Sequence, residues 1–239
     1  MDRTDKPIVF FDIGHTLVTG SEASPRRLIG HRLGLTEREI KKVGKIVMTT
    51  NARTPSQLTE VLWNCISTSR SRVSQEDLRK AVSDVWQEQL CCVEPLPGAF
   101  EVLQSLHEKG FELGCISNIW HPFFEGFSRR FRDFIPYFKY KILSYEMGVK
   151  KPNPGIFELA LSLAKRPPEL CWMIGDTYEL DVAPAMQVGM KTVWYIIRPD
   201  RERKALALIL RGDLPPPYYA VSDLREVEQL FSTKKAEAI

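Results

Sequence analysis

Two textures of hydrophobic and polar positions alternate along the chain. Short, almost wholly apolar runs occur at 8–12 (IVFFD), 111–117 (FELGCIS), 141–144 (KILS), 170–175 (LCWMIG) and 192–197 (TVWYII), with a further candidate at 218–222 (YYAVS). Each is brief and apolar at successive positions, as a parallel strand covered on both faces requires. Between them, 98–110, 122–135, 154–166 and 179–189 place apolar residues at helical spacing, and a short helix is predicted from Asp223. Gly110 and Gly189 stand where a helix C-terminal stop is wanted. This alternation predicts an α/β fold on a doubly wound parallel sheet. The ligand site of such a sheet lies beyond the carboxyl ends of the strands, where the strand order reverses.

Residues 21–93 break the alternation. The segments 25–35, 36–50, 54–68 and 74–90 all read as amphipathic helices, and no strand pattern intervenes. Thr36, Thr54 and Ser74 are predicted N-caps, and Thr36-x-x-Glu39 and Ser74-x-x-Asp77 have the form of capping boxes. The expected organisation is an α/β core of 1–19 and 95–239 with a helical insert at 20–94. The connections fall near Thr19–Ser21 and Glu94–Pro97, and 232–239 reads as a disordered tail.

Composition narrows the class. A chain of 239 residues, 44% hydrophobic and 26% charged, has ample apolar material for a large core. A formal charge of +3 is too small to indicate a nucleic-acid surface. No apolar run approaches the roughly 18 residues of a membrane span, and MDRTDKP lacks the apolar stretch of a signal peptide. The expectation is a cytoplasmic protein without nucleic-acid or membrane partners. The five cysteines are odd in number and form no C-x-x-C, so they read as buried, reduced thiols, with Cys115 and Cys171 inside strand-like runs.

The chemistry-bearing residues gather at the predicted strand ends. Asp12 ends the first strand, and Ser117 and Asn118 end the second. Lys151 follows the third, and Asp176 and Asp181 (in GDTYELD) follow the fourth. A carboxylate, a hydroxyl, an ammonium and a carboxylate pair suit phosphoryl transfer to an aspartate with a divalent cation. Asp12 is the candidate nucleophile, Ser117 a donor to a phosphoryl oxygen, and Lys151 a counter-charge. Asp176 with Asp12 is the candidate holder of Mg²⁺.

These stretches, in this order and spacing, resemble the haloacid dehalogenase superfamily. The resemblance implies a Rossmann-like sheet of order 3-2-1-4-5, which brings Asp12 and Asp176 side by side. It implies that the insert is a cap over the site, a lid of the kind that selects substrates and excludes water. It also implies that Gly14 lends its backbone carbonyl to Mg²⁺, that Thr16 supports the loop after the nucleophile, and that Asp181 acts behind the metal ligands. Asn118 and His15 join Ser117 and Lys151 as candidate contacts to a small phosphorylated substrate.

One position departs from the family pattern. The superfamily's phosphatases carry Asp-x-Asp, whose second Asp protonates the leaving group and then activates water; this chain has Asp12-Ile13-Gly14. A group of that kind contributes about 10²–10⁴-fold, roughly 3–5 kcal/mol of barrier. Three outcomes are compatible with its loss: a substrate with a good leaving group, a surrogate acid (His15, Glu22 or Glu179), or a non-catalytic phosphate- or partner-binding protein. Superfamily dehalogenases also lack this Asp, but generally lack the Asp-rich cation site that GDTYELD retains, so phosphorus chemistry is favoured. Arg26 and Arg27, like Arg129, Arg130 and Arg132, read as a solvated helix face, and Trp63 and Trp86 as core of the helical insert.

Overall fold

The structure is a computed structural model and describes residues 6–21, 23–66 and 72–231. Six parallel strands form the main sheet: β1 (Ile8–Phe11), β4 (Glu112–Ser117), β5 (Phe138–Leu143), β6 (Cys171–Gly175), β7 (Lys191–Tyr195) and β8 (Tyr219–Val221). Their order is β5-β4-β1-β6-β7-β8. The first five strands in chain sequence thus take the expected 3-2-1-4-5 order, and the run at 218–222 adds the sixth at the edge. The direction of winding reverses at β1, which pairs in register with β4 on one side and β6 on the other.

Both faces of these central strands are covered, which is why they read as unbroken apolar runs. Val9 and Phe11 face one hydrophobic cluster with Trp172 and Ile174, while Ile8 and Phe10 face a second with Cys171 and Met173. The period of two sends alternate residues of each strand to opposite layers. The helices that cover them are α5 (Ala99–Glu108), α6 (His121–Arg130), α8 (Gly155–Ala164), α9 (Ala183–Gln187) and α11 (Leu224–Leu230). Gly110 and Gly189 have φ of 82° and 84°, the left-handed conformation expected after a helix end.

Between β1 and α5 the chain forms α1 (Pro25–Arg32), α2 (Glu37–Thr49), α3 (Pro55–Cys65) and α4 (Gln75–Cys91). The side chains of Thr36, Thr54 and Ser74 accept hydrogen bonds from the first turns of α2, α3 and α4, and both predicted capping boxes are formed. Ile29, Val43, Leu62, Val82, Val85 and Trp86 build a hydrophobic cluster of the insertion's own, with Trp63 packed against it. Trp120, from the loop after β4, reaches into that cluster and meets Trp86 edge-on at 5.4 Å between ring centroids. Where the chain leaves and re-enters the α/β part, β2 (Val18–Thr19) pairs antiparallel with β3 (Glu94–Pro95).

Several details differ from the sequence expectations. β5 starts at Phe138 rather than 141, because an edge strand alternates: exposed Lys139 pairs with Glu112 across the strand and interrupts the apolar run. The predicted helix at 179–189 opens with a turn of π-helix, Tyr178–Val182, before α9, and this turn brings Asp181 inward. The helices α7 (Ser144–Met147) and α10 (Pro199–Leu210) were not foreseen; α10 begins with the strongly polar PDRERK. All five cysteines are free, but Cys91 is exposed and only Cys115 and Cys171 are buried. Burial pushes the Cys115 thiol up to about 12, which leaves it protonated and inert. The predicted tail at 232–239 lies outside the described residues. Among those residues, no helix is long and apolar enough to cross a membrane.

The insertion meets the α/β part most closely where α4 packs on α6. A Cβ at Gly126 would overlap the Leu90 carbonyl, a backbone group that cannot rotate away. Gly126→Ala is therefore expected to lower stability by about 1–3 kcal/mol, the usual cost of overpacking, measurable as a reduced urea midpoint with unchanged m-value.

Candidate active site

Four chain segments meet beyond the carboxyl end of β1. The Asp12 amide donates to the Ile174 carbonyl at 2.8 Å, which carries the β1–β6 ladder one residue past the strand and fixes Asp12 at the reversal of strand order. Lys151 is 2% exposed. Its Nζ lies 2.8 Å from Asp12 Oδ1 and 2.5 Å from Asp181 Oδ1, and donates to the Ile116 carbonyl at 2.9 Å. Asn118 lines the cavity but commits its side-chain hydrogen bonds to the lysine loop. Its Oδ1 accepts from the Lys151 amide at 2.8 Å and its Nδ2 donates to the Lys151 carbonyl at 2.9 Å, so it holds the lysine loop against the end of β4.

Asp181 is also buried, and its Oδ2 accepts from the Thr177 amide at 3.0 Å. The approach is so close that a Cβ at Gly175 would overlap the Asp181 carboxyl. Asp176 carries a partner the sequence did not announce: Arg198, at the start of α10, places two guanidinium N–H groups on Asp176 Oδ2, with Nε at 3.1 Å. One oxygen from each of Asp12, Asp176 and Asp181 lies within 4.8 Å of the others. Such hard oxygen donors fit a small divalent cation such as Mg²⁺. Gly14 lines the same cavity of about 440 Å³.

A Cβ added at Gly14 would meet nothing within 4 Å. The missing side chain is therefore not a steric demand of the loop. Ser117 ends β4 and lines the cavity with Asn118 and His15. His15 has φ of 60°, in the left-handed region that bulky side chains avoid. Burial, then the Arg198 charge, holds its imidazole below the ordinary histidine pKa, against the pull of Asp12. Thr16 is fully buried, does not line the cavity, and its hydroxyl has no partner among the described residues. Glu179 is exposed and absent from the cavity wall, which removes it as a surrogate acid; Glu22 lies outside the described residues.

Residues 7–189 match the family described as haloacid dehalogenase-like hydrolase. The chain belongs to the haloacid dehalogenase-like hydrolases. Over 146 residues it is 37% identical to haloacid dehalogenase-like hydrolase domain-containing protein 3 of Xenopus laevis, covering 59% of this chain and 54% of that protein. It is 32% identical to the pyrimidine 5′-nucleotidase YjjG of Escherichia coli (57% and 56% covered). A glyceraldehyde 3-phosphate phosphatase of Pyrococcus abyssi matches at 37% over 100 residues (42% of each chain). The chain thus spans about half the length of the curated relatives it matches. Among solved structures, a 2-haloacid dehalogenase from Pseudomonas syringae superposes with a TM-score of 0.62 at 20% identity, covering 95% of this chain and 98% of that one. A HAD phosphatase from Thermococcus onnurineus gives 0.56 at 18%, with the same coverage. Both show the fold.

This haloacid dehalogenase-like hydrolase holds three buried carboxylates close together. Burial, then the charges of Asp181 and Asp12, push Asp176 up to about 7, against the pull of Arg198. Asp181 is pushed up as well, by burial and against the attraction of Lys151. Burial works against the Lys151 charge, but Asp12 and Asp181 outweigh it and hold the ammonium well above its ordinary range. Arg26 and Arg27 are exposed, as the sequence reading has them, and they also line the cavity. Gln89, Trp120, Arg198 and Arg201 line it too and were not foreseen. Gln89 hydrogen-bonds Ser21 and lies within 3.4 Å of the Trp120 indole nitrogen, so it ties α4 to the loops on either side of the cavity. Nothing local marks these residues; they arrive from elements that only the fold brings together.

Two outcomes are expected. Lys151→Met would leave two buried carboxylates unbalanced and cost roughly 3–5 kcal/mol of unfolding free energy, read by chemical denaturation. Asp176 titrates near 7 when folded and 3.8 when unfolded, so the folded state binds the extra proton between those values. Its contribution to stability is greatest at low pH and falls as pH rises through that window. In EDTA, the stability difference between the parent and Asp176→Asn should shift against the parent from pH 4 to pH 7, and added Mg²⁺ should restore the parent alone.

Proposed function

We propose that the protein is a Mg²⁺-dependent phosphohydrolase that passes a phosphoryl group from a small metabolite through Asp12. The observation that carries this reading is Lys151, buried between Asp12 and Asp181 at 2.8 and 2.5 Å, with Asp176 beside them. The phosphatase and nucleotidase names of two relatives support it. Asp12 and Asp176, with the Gly14 carbonyl, are the residues that would hold Mg²⁺. When bound there, the cation would polarise a phosphoryl oxygen and offset the crowded negative charge.

The remaining steps fall to the protein's own groups. The Asp12 carboxylate attacks phosphorus and forms an aspartyl-phosphate as the leaving oxygen departs. Lys151 offsets the charge that Asp12 shares with the phosphoryl group, and Asp181 and the Ile116 carbonyl keep its ammonium fixed. Ser117, at the end of β4, donates to a phosphoryl oxygen. No carboxyl stands at position 14 to protonate the leaving group, and burial and the Arg198 charge hold the His15 imidazole below its ordinary pKa, which works against its serving as the proton donor. Phosphates with good leaving groups should therefore turn over much faster than alkyl esters. Residues 20–94 serve as the cap, with Arg26, Arg27 and Gln89 on the cavity wall.

The test compares phosphate release from acetyl phosphate and ethyl phosphate, with and without Mg²⁺. Acetyl phosphate is expected to turn over, with activity lost in EDTA and in Asp12→Asn. Ethyl phosphate should be slower by more than the intrinsic difference of the two leaving groups. Gly14→Asp, whose Cβ has open space, should raise ethyl phosphate turnover by about 10²-fold or more. Silence of parent and Gly14→Asp towards both substrates would overturn the phosphohydrolase reading in favour of a phosphate-binding protein.

A further inference from the structure

The cavity has more positive charge than its acidic floor accounts for. The three carboxylates on its wall are Asp12, Asp176 and Asp181, and Lys151 and Arg198 pair with them, which leaves one negative charge over. Three more arginines, all exposed, line the same space: Arg26 and Arg27 from the first turn of α1, and Arg201 from the first turn of α10. None of their side chains has an ion pair or hydrogen bond to a described residue. Elsewhere the arginines of this protein find carboxylates readily, as Arg32 does with Glu88, Arg53 with Glu146 and Arg130 with Glu94.

Two of these residues sit on the insertion and one on the α/β part, so unlike a run of charges on one helix they reach one cavity from two parts of the fold. Bringing like charges together without a counter-ion is unfavourable. Arg26 is moreover seated rather than free: its side chain lies over Gly44 of α2, where a Cβ would overlap its Cδ. The first turn of α1 adds to the effect. Its N-cap Ser24 makes no side-chain cap bond, and Pro25 stands at the first position. Met48, Trp120 and Phe123 supply apolar surface to the same cavity.

We propose that Arg26, Arg27 and Arg201 form a second anion-binding subsite, and that the substrate is a phosphorylated metabolite bearing a further anionic group, carboxylate or phosphoryl, across a short apolar spacer. This rests on the phosphohydrolase reading for the first phosphate and extends it by naming the substrate class. Guanidinium forks match either anion bidentately. A substrate whose far end is neutral would leave the three charges unbalanced, and one whose far end is cationic would be repelled.

Equilibrium binding separates this subsite from catalysis. The probes are non-hydrolysable: alkylphosphonates of two to five carbons, with the far end methyl, carboxylate, phosphonate or ammonium, titrated calorimetrically into the full chain with Mg²⁺ at 0.1 M salt. At the best spacer length, the carboxylate or phosphonate series should bind at least about tenfold tighter than the methyl series, and the ammonium series weakest. The advantage should fall towards unity in Arg27→Ala/Arg201→Ala, with affinity for the methyl series unchanged. Whichever anion gains more identifies the second group. Equal affinity across the series, an advantage that survives the double substitution, or no binding of any probe would overturn the subsite. The acetyl phosphate assay judges the phosphohydrolase reading separately: turnover there with no discrimination here removes the subsite alone.

Discussion

The structure is organised around one buried ammonium. Lys151 is almost fully withdrawn from water, and removing a charge from water costs several kcal/mol unless its partners are close and well placed. Its partners here come from three different places: Asp12 after β1, the Ile116 carbonyl within β4, and Asp181 in the turn after β6. They converge because β1 lies between β4 and β6, so the three strands deliver their ends to one point. Neighbouring features follow from this demand. Asn118 grips the Lys151 backbone at both its amide and its carbonyl, and Gly175 leaves room for the Asp181 carboxyl.

The same constraint shapes the chemistry. Burial and the neighbouring carboxylate charges raise the proton affinity of Asp176 and Asp181, and Lys151 and Arg198 compensate only part of the cluster's charge. A site with residual negative charge and hard oxygen donors is suited to a divalent cation and, through it, to a phosphate. Gly14 stands apart from that logic. The loop has space for a side chain there, so glycine at this position is a chemical difference from the phosphatases of the superfamily and not a packing requirement. On the proposed mechanism its consequence is confined to proton transfer, because neither Asp12, Lys151 nor the carboxylate cluster depends on it.

The helical insertion complements this floor with the opposite sign of charge. It has its own hydrophobic cluster, yet Trp120 inserts into that cluster and Gly126 lets α6 approach α4 closely, so its position over the strand ends is set by specific contacts. Those contacts bring Arg26 and Arg27 to face a cavity whose other wall holds Arg198 and Arg201.

Much of this protein was legible in the chain because the signals are local. Strands buried on both faces are apolar at every position, which the runs at 8–12 and 170–175 record; helix starts need a side-chain oxygen, which Thr36, Thr54 and Ser74 supply. Asp12, Ser117, Lys151, Asp176 and Asp181 could be named because each stands at a strand end or in the connection that follows one, and parallel strands wound about a reversal deliver their ends to one place. Tertiary structure alone decided the rest. That Asn118 holds the lysine loop, that Arg198 grips Asp176, that Glu179 faces solvent, and that Arg26, Arg27 and Arg201 share a cavity all depend on elements far apart in sequence. A side chain's electrostatic partner is set by where folding brings other charges, and hydrophobic periodicity says which face of an element is buried but not what that face will meet.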